Sequence, residues 1–267
     1  MGYGATIVIP LLRQVDEWLE HSVRSALGQT ASTQVVVVVS TATTPSNLAL
    51  LYRLREQHAN LEITCERKSG SFPNAINTGI QCATTDRVGL LLSDDWLDQR
   101  AVEACLPISA DIVSTGHAVY FPNGRWNELA SRNASLQAFE ALPSLLSKAE
   151  YLEHFFLFSK EMLLRVGGLD ESIGNYPGID DFDLIWTLLE HGATVGIVEE
   201  KLYHYRDHAG ERLTLADPAA PVRNLEKILR KHRVSERQIP EIVRRHARWF
   251  GRPIYEVMNL SYRAHAP

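Results

Sequence analysis

An α/β fold with a mainly parallel sheet flanked by helices is the class this sequence predicts, and three observations carry it. Short, continuous apolar runs recur near the start, ATIVIP from Ala5 and QVVVVVS from Gln34. Each is followed by a segment of helical periodicity. A later run, Val88 to Leu92, stops abruptly before two adjacent carboxylates, Asp94 and Asp95. Runs of this kind read as strands buried on both faces, and alternating units of this length imply right-handed crossovers with helices on either side.

The elements follow in order. Ala5 to Pro10 is the first strand, and Val15, Trp18, Leu19, Val23, Ala26 and Leu27 mark one face of the first helix. Gln34 to Ser40 is the second strand, Asn47 to His58 the second helix and Leu61 to Glu66 the third strand. Pro73 suits the first turn of a helix that runs to about Cys82, and Arg87 to Leu92 is the fourth strand. A helix is expected at Gln99 to Leu106 and a strand at Asp111 to Ser114. The polar stretch Pro122 to Ser147 has little periodicity and contains Asn123-Gly124, so it reads as a long loop or lid that selects substrate. Phe155 to Phe158 resumes a strand. Helices are expected at Lys160 to Val166, stopped by Gly167-Gly168, and at Asp180 to His191, stopped by Gly192. Ala193 to Val198 is a late strand, and from Asp217 onward the chain turns basic and helical.

Composition narrows the function. A net charge of −5 argues against nucleic acid as a partner, and 45% hydrophobic with 22% charged residues is ordinary for a globular chain. The three cysteines, Cys65, Cys82 and Cys105, stand singly, which disfavours a zinc site or a disulfide framework. No apolar stretch approaches the roughly 18 residues of a membrane span, and no signal-peptide pattern opens the chain. A cytoplasmic protein is expected.

Acids at the carboxyl end of a parallel strand stand where ligands bind in open α/β sheets. Two adjacent carboxylates repel each other unless a cation or the N–H groups of a helix neutralise them. Asp94 and Asp95 therefore read either as the seat of a divalent metal with a phosphorylated ligand or as caps on the next helix. Asp180 and Asp181 carry a similar ambiguity, because acids in a first turn also meet the positive end of the helix dipole.

Four segments together resemble the family 2 glycosyltransferases of the GT-A fold, over roughly Ala5 to Thr214. Gly70 to Gly79 is similar to that family's glycine-then-AxNxG helix, and Leu92-Ser93-Asp94-Asp95 to its DxDD segment. Val166-Gly167-Gly168-Leu169-Asp170-Glu171 followed by Asp180-Asp181 resembles its GGxDE…ED pair, and Tyr205-Arg206-Asp207-His208 its YRxH element. The opening strand, ending in Ile9-Pro10, is similar to the family's start.

The resemblance implies a GT-A-like (Rossmann-like) domain over 1–216, with a nucleotide-binding half at 1–115 and an acceptor and catalytic half at 116–216. A C-terminal helical extension occupies 217–267. It implies an inverting transfer from a nucleotide-sugar donor to a hydroxyl of a saccharide, lipid-linked or small-molecule acceptor. Mn²⁺ or Mg²⁺ would be held by Asp94, Asp95 and His208, and Asp181 would be the general base. Pro10, Ser40, Lys68, Asn77, Ser93, Asp94 and Arg206 fall at donor-binding positions. His208 is alternatively a diphosphate contact or a surface histidine, and Arg206 a phosphate clamp or a salt-bridge partner. Lys68 and Arg67 face the nucleotide or stand as solvated charges, and Asn77 holds backbone geometry rather than substrate.

Two departures bear on activity. No acid follows the second strand, where Ser40 and Thr41 stand, and Leu92 replaces the first acid of the DxDD segment. A non-catalytic sugar-nucleotide binder is therefore the alternative; a nucleotidyltransferase would need a glycine-rich turn that Pro10 to Gln14 lacks. The tail from Asn224 to Trp249 carries Lys227, Arg230, Lys231, Arg233, Arg237, Arg244, Arg245 and Arg248, interrupted by Glu226, Glu236 and Glu241. It reads as a peripheral membrane contact or as a solvated helix pair or homo-oligomer contact.

Overall fold

The computed structural model describes residues 2–68, 70–122, 126–132, 135–173, 179–208 and 219–247. Three strand–helix units and a fourth strand open the chain: β1 (Ala5–Leu11), α1 (Asp16–Leu27), β2 (Thr33–Val39), α2 (Pro45–Gln57), β3 (Leu61–Cys65), α3 (Phe72–Cys82) and β4 (Arg87–Leu90). Then come β5 (Trp96–Leu97), α4 (Ala101–Cys105), β6 (Ile112–Pro122), β7 (Trp126–Arg132), α5 (Leu136–Glu140) and α6 (Leu145–Tyr151). The chain continues through β8 (Phe156–Ser159), α7 (Lys160–Val166), α8 (Asp180–Glu190), β9 (Val195–Arg206), α9 (Ala219–Lys231) and α10 (Ile239–Ala247).

The α/β class holds, with one sheet in the order β3-β2-β1-β4-β8-β6-β9-β5 and β7 paired to β6. Its first half is parallel throughout, whereas β8 enters antiparallel between β4 and β6. This reversal brings the amino end of β8 beside the carboxyl end of β4, with Leu90 opposite Phe156.

Strand periodicity explains the two cores. Ile7, Ile9, Val35, Val37 and Val39 point to one face and pack with Leu19, Val23, Leu51 and Leu54 of α1 and α2. Val8, Val36, Val38 and Val88 point to the other and join Ile76, Ile80, Leu184, Ile185 and Leu188. Burying each such aliphatic side chain contributes about 1.5–3 kcal/mol. Helix α3 lies so close to the sheet that a Cβ on Gly79 would come 2.2 Å from a Val8 methyl.

Three expectations change. The Pro122 to Ser147 stretch is not a loop: its described residues contain β7, α5 and α6, with Ser135 and Ser144 capping the two helices. An edge strand of mixed polarity and helices of one or two turns leave almost no periodic signal. The late strand runs on to Arg206, because Glu199, Glu200 and Lys201 stand in an exposed or half-exposed stretch where polar side chains meet water. The basic tail is also less free than its composition implies. Leu225, Ile228, Leu229, Ile239 and Ile242 are buried in the same core as Leu184 and Ile185. Arg230 pairs with Glu226 and Glu236, Arg244 with Glu241 and Arg245 with Glu150. The boundary expected at 216/217 and the residue Arg248 lie outside the described residues. No helix among the described residues is long and apolar enough to cross a membrane.

Candidate functional site

The carboxyl ends of β1, β2 and β4 form one edge of the sheet, and the site is built there. Leaving β4, the chain turns through Leu92 to Asp95, with the Asp95 N–H bonded to the Leu92 carbonyl at 3.2 Å. A strand follows, not a helix, so the capping alternative for Asp94 and Asp95 is overturned; α4 starts later, after Arg100.

The two acids diverge. Asp94 presents Oδ2 at 3.1 Å from Nε2 of His208, which lies just beyond β9. Asp95 is wholly buried, and its oxygens accept hydrogen bonds from the Tyr203 hydroxyl at 2.5 Å and the Arg206 backbone N–H at 2.7 Å. Burial and the adjacent carboxylate push the Tyr203 phenol well above its ordinary range, so it stays a donor. Asp95 thus ties the turn to β9 and faces protein on both oxygens.

Arg206 is only 1% exposed. Its guanidinium lies 5.0 Å from each of the Trp18 and Trp96 ring centroids, and its Nε donates to the Asp94 carbonyl at 2.6 Å. Its outer nitrogen stands 3.3 Å from Nδ1 of His21. Burial pulls the Arg206 pKa down to about 10 against the pull of Asp95 and Asp94, which leaves it charged at neutral pH. Burial and then Arg206 itself lower the pKa of His21, favouring a neutral imidazole beside the guanidinium.

Asp181 sits in the first turn of α8, its Oδ1 accepting from the Phe182 N–H at 2.8 Å and its Oδ2 lying 3.3 Å from Nε2 of His154. It shares a pocket with Pro10, Leu92, His154, Phe72 and Asp180. The structure therefore joins Asp94, Asp95, Arg206 and His208 in one cluster and places Pro10 and Asp181 on an adjoining pocket wall.

Of the remaining candidates, Ser93 shares the turn of Asp94 and the others are held by different partners. Ser93 lies half-buried in the turn; Ser40, 8% exposed, ends β2, its N–H donating to the Thr43 hydroxyl at 2.9 Å. Lys68 is exposed after β3, its backbone N–H held by Asn74 Oδ1 at 2.7 Å. Asn77 serves as scaffold, accepting from the Leu169 N–H and donating to the Leu169 carbonyl, both at 2.9 Å. Gly168 has φ +74°, and a Cβ there would fall 2.2 Å from Asn77 Oδ1.

Sequence reasoning missed Tyr203, His154, Trp18 and His21. Trp18 reads as core from its helical spacing, and only the antiparallel entry of β8 brings His154 to this edge.

The arrangement places an oxygen and a nitrogen donor at one point, and a second carboxylate, Asp181, in a neighbouring pocket. Two donors of an octahedral ion with bonds of about 2.1 Å stand about 3 Å apart. Asp94 and His208 fit that spacing, and an O/N donor set suits Mn²⁺ or a similar ion. Among the described residues no group of three or more His, Cys, Asp or Glu could hold a metal, so further ligands would have to come from outside the described protein groups.

Comparison with known proteins agrees with this fold. The fold resembles the Pyrobaculum calidifontis mannosyltransferase PcManGT in complex with GDP-Man and Mn²⁺, with a TM-score of 0.65 at 16% identity over 99% of this chain and 76% of that one. It also resembles S. aureus TarS 1-349 in complex with UDP-GlcNAc, with a TM-score of 0.64 at 15% identity over 87% and 67% of the two chains. The O-antigen biosynthesis protein RfbC of Myxococcus xanthus is 26% identical over 204 residues, which is 76% of this chain and 16% of that protein. Chondroitin synthase of Escherichia coli is 27% identical over 179 residues, 66% of this chain and 25% of that protein. The chain thus spans a quarter or less of the length of these two curated relatives. The profile described as Glycosyl transferase family 2 matches residues 6–168, well over half the chain, and the chain belongs to that family.

Proposed function

We propose that this chain transfers a sugar from a nucleotide-sugar donor to an acceptor hydroxyl with inversion. The carrying observation is the Asp94 Oδ2 to His208 Nε2 separation of 3.1 Å at the carboxyl edge of the sheet, beside the pocket that Asp181 lines. Asp94 and His208 would hold Mn²⁺ or Mg²⁺. When bound there, such an ion offsets charge on the departing diphosphate.

The chain's own residues divide the remaining work. Arg206, fixed between two tryptophans, holds the Asp94 main chain, and Asp95 with Tyr203 holds the turn from behind. Asp95 is assigned no ligand contact, because both its oxygens accept hydrogen bonds from protein. Asp181 accepts the acceptor proton as the new C1–O bond forms and the bond to phosphate breaks on the opposite face. Pro10 and Leu92 line the pocket between these groups, and an apolar wall there excludes water from the sugar carbon.

The relatives support the reading in kind: solved neighbours carry UDP-GlcNAc or GDP-Man with Mn²⁺, and curated relatives are named for O-antigen, chondroitin and hyaluronan synthesis. A saccharide or lipid-linked saccharide acceptor is the corresponding proposal. Ser40 and Leu92, standing where acids are usual, favour a second reading in which the chain binds donor without turnover.

Calorimetry across UDP- and GDP-sugars with and without Mn²⁺, paired with assay of nucleotide release, separates the readings. Metal-dependent binding with release is expected. Binding without release supports the second reading, and no binding in any condition overturns both.

A further inference from the structure

We propose that His154 is a positioning residue for the base, orienting the Asp181 carboxylate and coupling it to the opposite side of the site. The inference rests on the assignment of Asp181 above. Nε2 of His154 lies 3.3 Å from Asp181 Oδ2, and both side chains border the same pocket. Oδ1 already accepts from the Phe182 N–H at 2.8 Å, and the imidazole stands against the other oxygen as a close polar contact.

The imidazole is itself held. It stacks on Tyr203 with centroids 5.0 Å apart and planes 24° apart, and meets Phe156 edge-on at 5.5 Å. Tyr203 in turn bonds Asp95, whose other oxygen takes the Arg206 N–H. A continuous chain of contacts thus runs from the base on α8, through His154 before β8 and Tyr203 on β9, to the turn that carries Asp94. The links are a close polar contact, a ring stack and two hydrogen bonds, which tie the position of the carboxylate to the diphosphate side.

In the transfer, the acceptor O–H bond breaks and its proton passes to Asp181 as C1–O forms. The C1–O bond to phosphate breaks, with its electron pair leaving on the nucleoside diphosphate. His154 stays beside Oδ2 throughout and takes no part in the proton transfer, and the remaining lone pairs of that carboxylate receive the acceptor proton.

The test uses His154→Phe, which keeps the stack but removes the N–H, and His154→Gln, which restores a donor. Turnover is read as nucleoside diphosphate released into water from whichever UDP- or GDP-sugar the protein binds with Mn²⁺. His154→Phe is expected to lower kcat by roughly 10–100-fold, the loss typical of removing a group that orients a functional one, with KM for the donor within about twofold. His154→Gln is expected to recover most of that loss. Wild-type kcat in His154→Phe, or a KM that rises in step with the loss, overturns the proposal.

A second readout needs no turnover. Side-chain ¹⁵N NMR of the unliganded chain is expected to show His154 protonated at Nε2, with a resonance that moves in Asp181→Asn. An Nδ1–H tautomer indifferent to Asp181→Asn overturns the proposal. Full turnover in Asp181→Asn would instead overturn the base assignment itself. An inactive Asp181→Asn beside a fully active His154→Phe removes only the role of His154.

Discussion

The Tyr203 hydroxyl donates to Asp95 Oδ2 at 2.5 Å, with both side chains shut away from solvent. A buried carboxylate is tolerated only when its oxygens are satisfied, so this bond stabilises the turn that carries Asp94. Tyr203→Phe is expected to destabilise the fold by about 1–3 kcal/mol, the cost of leaving a buried acceptor unmet, and to weaken Mn²⁺ binding with it. Denaturant melts with and without Mn²⁺ measure both effects, and an unchanged midpoint would remove this role.

Asp94 and Asp181 should separate cleanly. Asp94→Asn is expected to abolish metal-dependent donor binding, whereas Asp181→Asn should leave donor affinity intact and lower turnover by roughly 10²–10⁴-fold, the range for a lost general base. Calorimetry alongside steady-state kinetics resolves the two, and chelation by EDTA should reproduce the Asp94→Asn result. Equal loss of donor binding in both variants contradicts the division of labour.

Gly168→Ala meets two obstacles at once. Its φ of +74° disfavours a side chain, and the added Cβ would press 2.2 Å from Asn77 Oδ1, which holds the Leu169 N–H. A loss of at least about 1 kcal/mol is expected, visible as a lower Tm. Asn77→Ala should lose a similar amount by freeing both backbone groups of Leu169.

Cys105 is buried, and burial pushes its thiol pKa up to about 12 against the pull of Arg87. The unfolded chain ionises this thiol near 9, so above that pH it binds fewer protons than the folded chain. Stability should therefore fall between about pH 9 and 12. Cys105→Ala is expected to flatten that slope in pH-dependent melts. A thiol reagent should label the exposed Cys65 in the native state and reach Cys105 only on unfolding.

Much of the fold was legible because its signals are local. The buried valines of β2, Pro73 in the first turn of α3 and Gly167 ending α7 each announce themselves within a few residues. Motif order singled out Asp94 and Asp181, which the structure places at one edge of the sheet and in an adjoining pocket. The partners that bury Asp95 were not legible, because Tyr203 and Arg206 lie more than a hundred positions away. The edge strand β7 escaped for a different reason: paired only to β6, it needs no apolar face on both sides. The neighbours of Arg206 were not legible either, because only packing brings the Trp18 and Trp96 rings within 5.0 Å of its guanidinium.

That sandwich also gives the molecule an optical handle. A guanidinium 5.0 Å from two indoles is part of their electronic surroundings, and its Nε is bonded to the Asp94 carbonyl. Any ligand that shifts the Asp94 turn therefore shifts a charge beside Trp18 and Trp96. Donor titration is therefore expected to change the protein's own ultraviolet emission, which would let donors be ranked without a label and before any acceptor is identified.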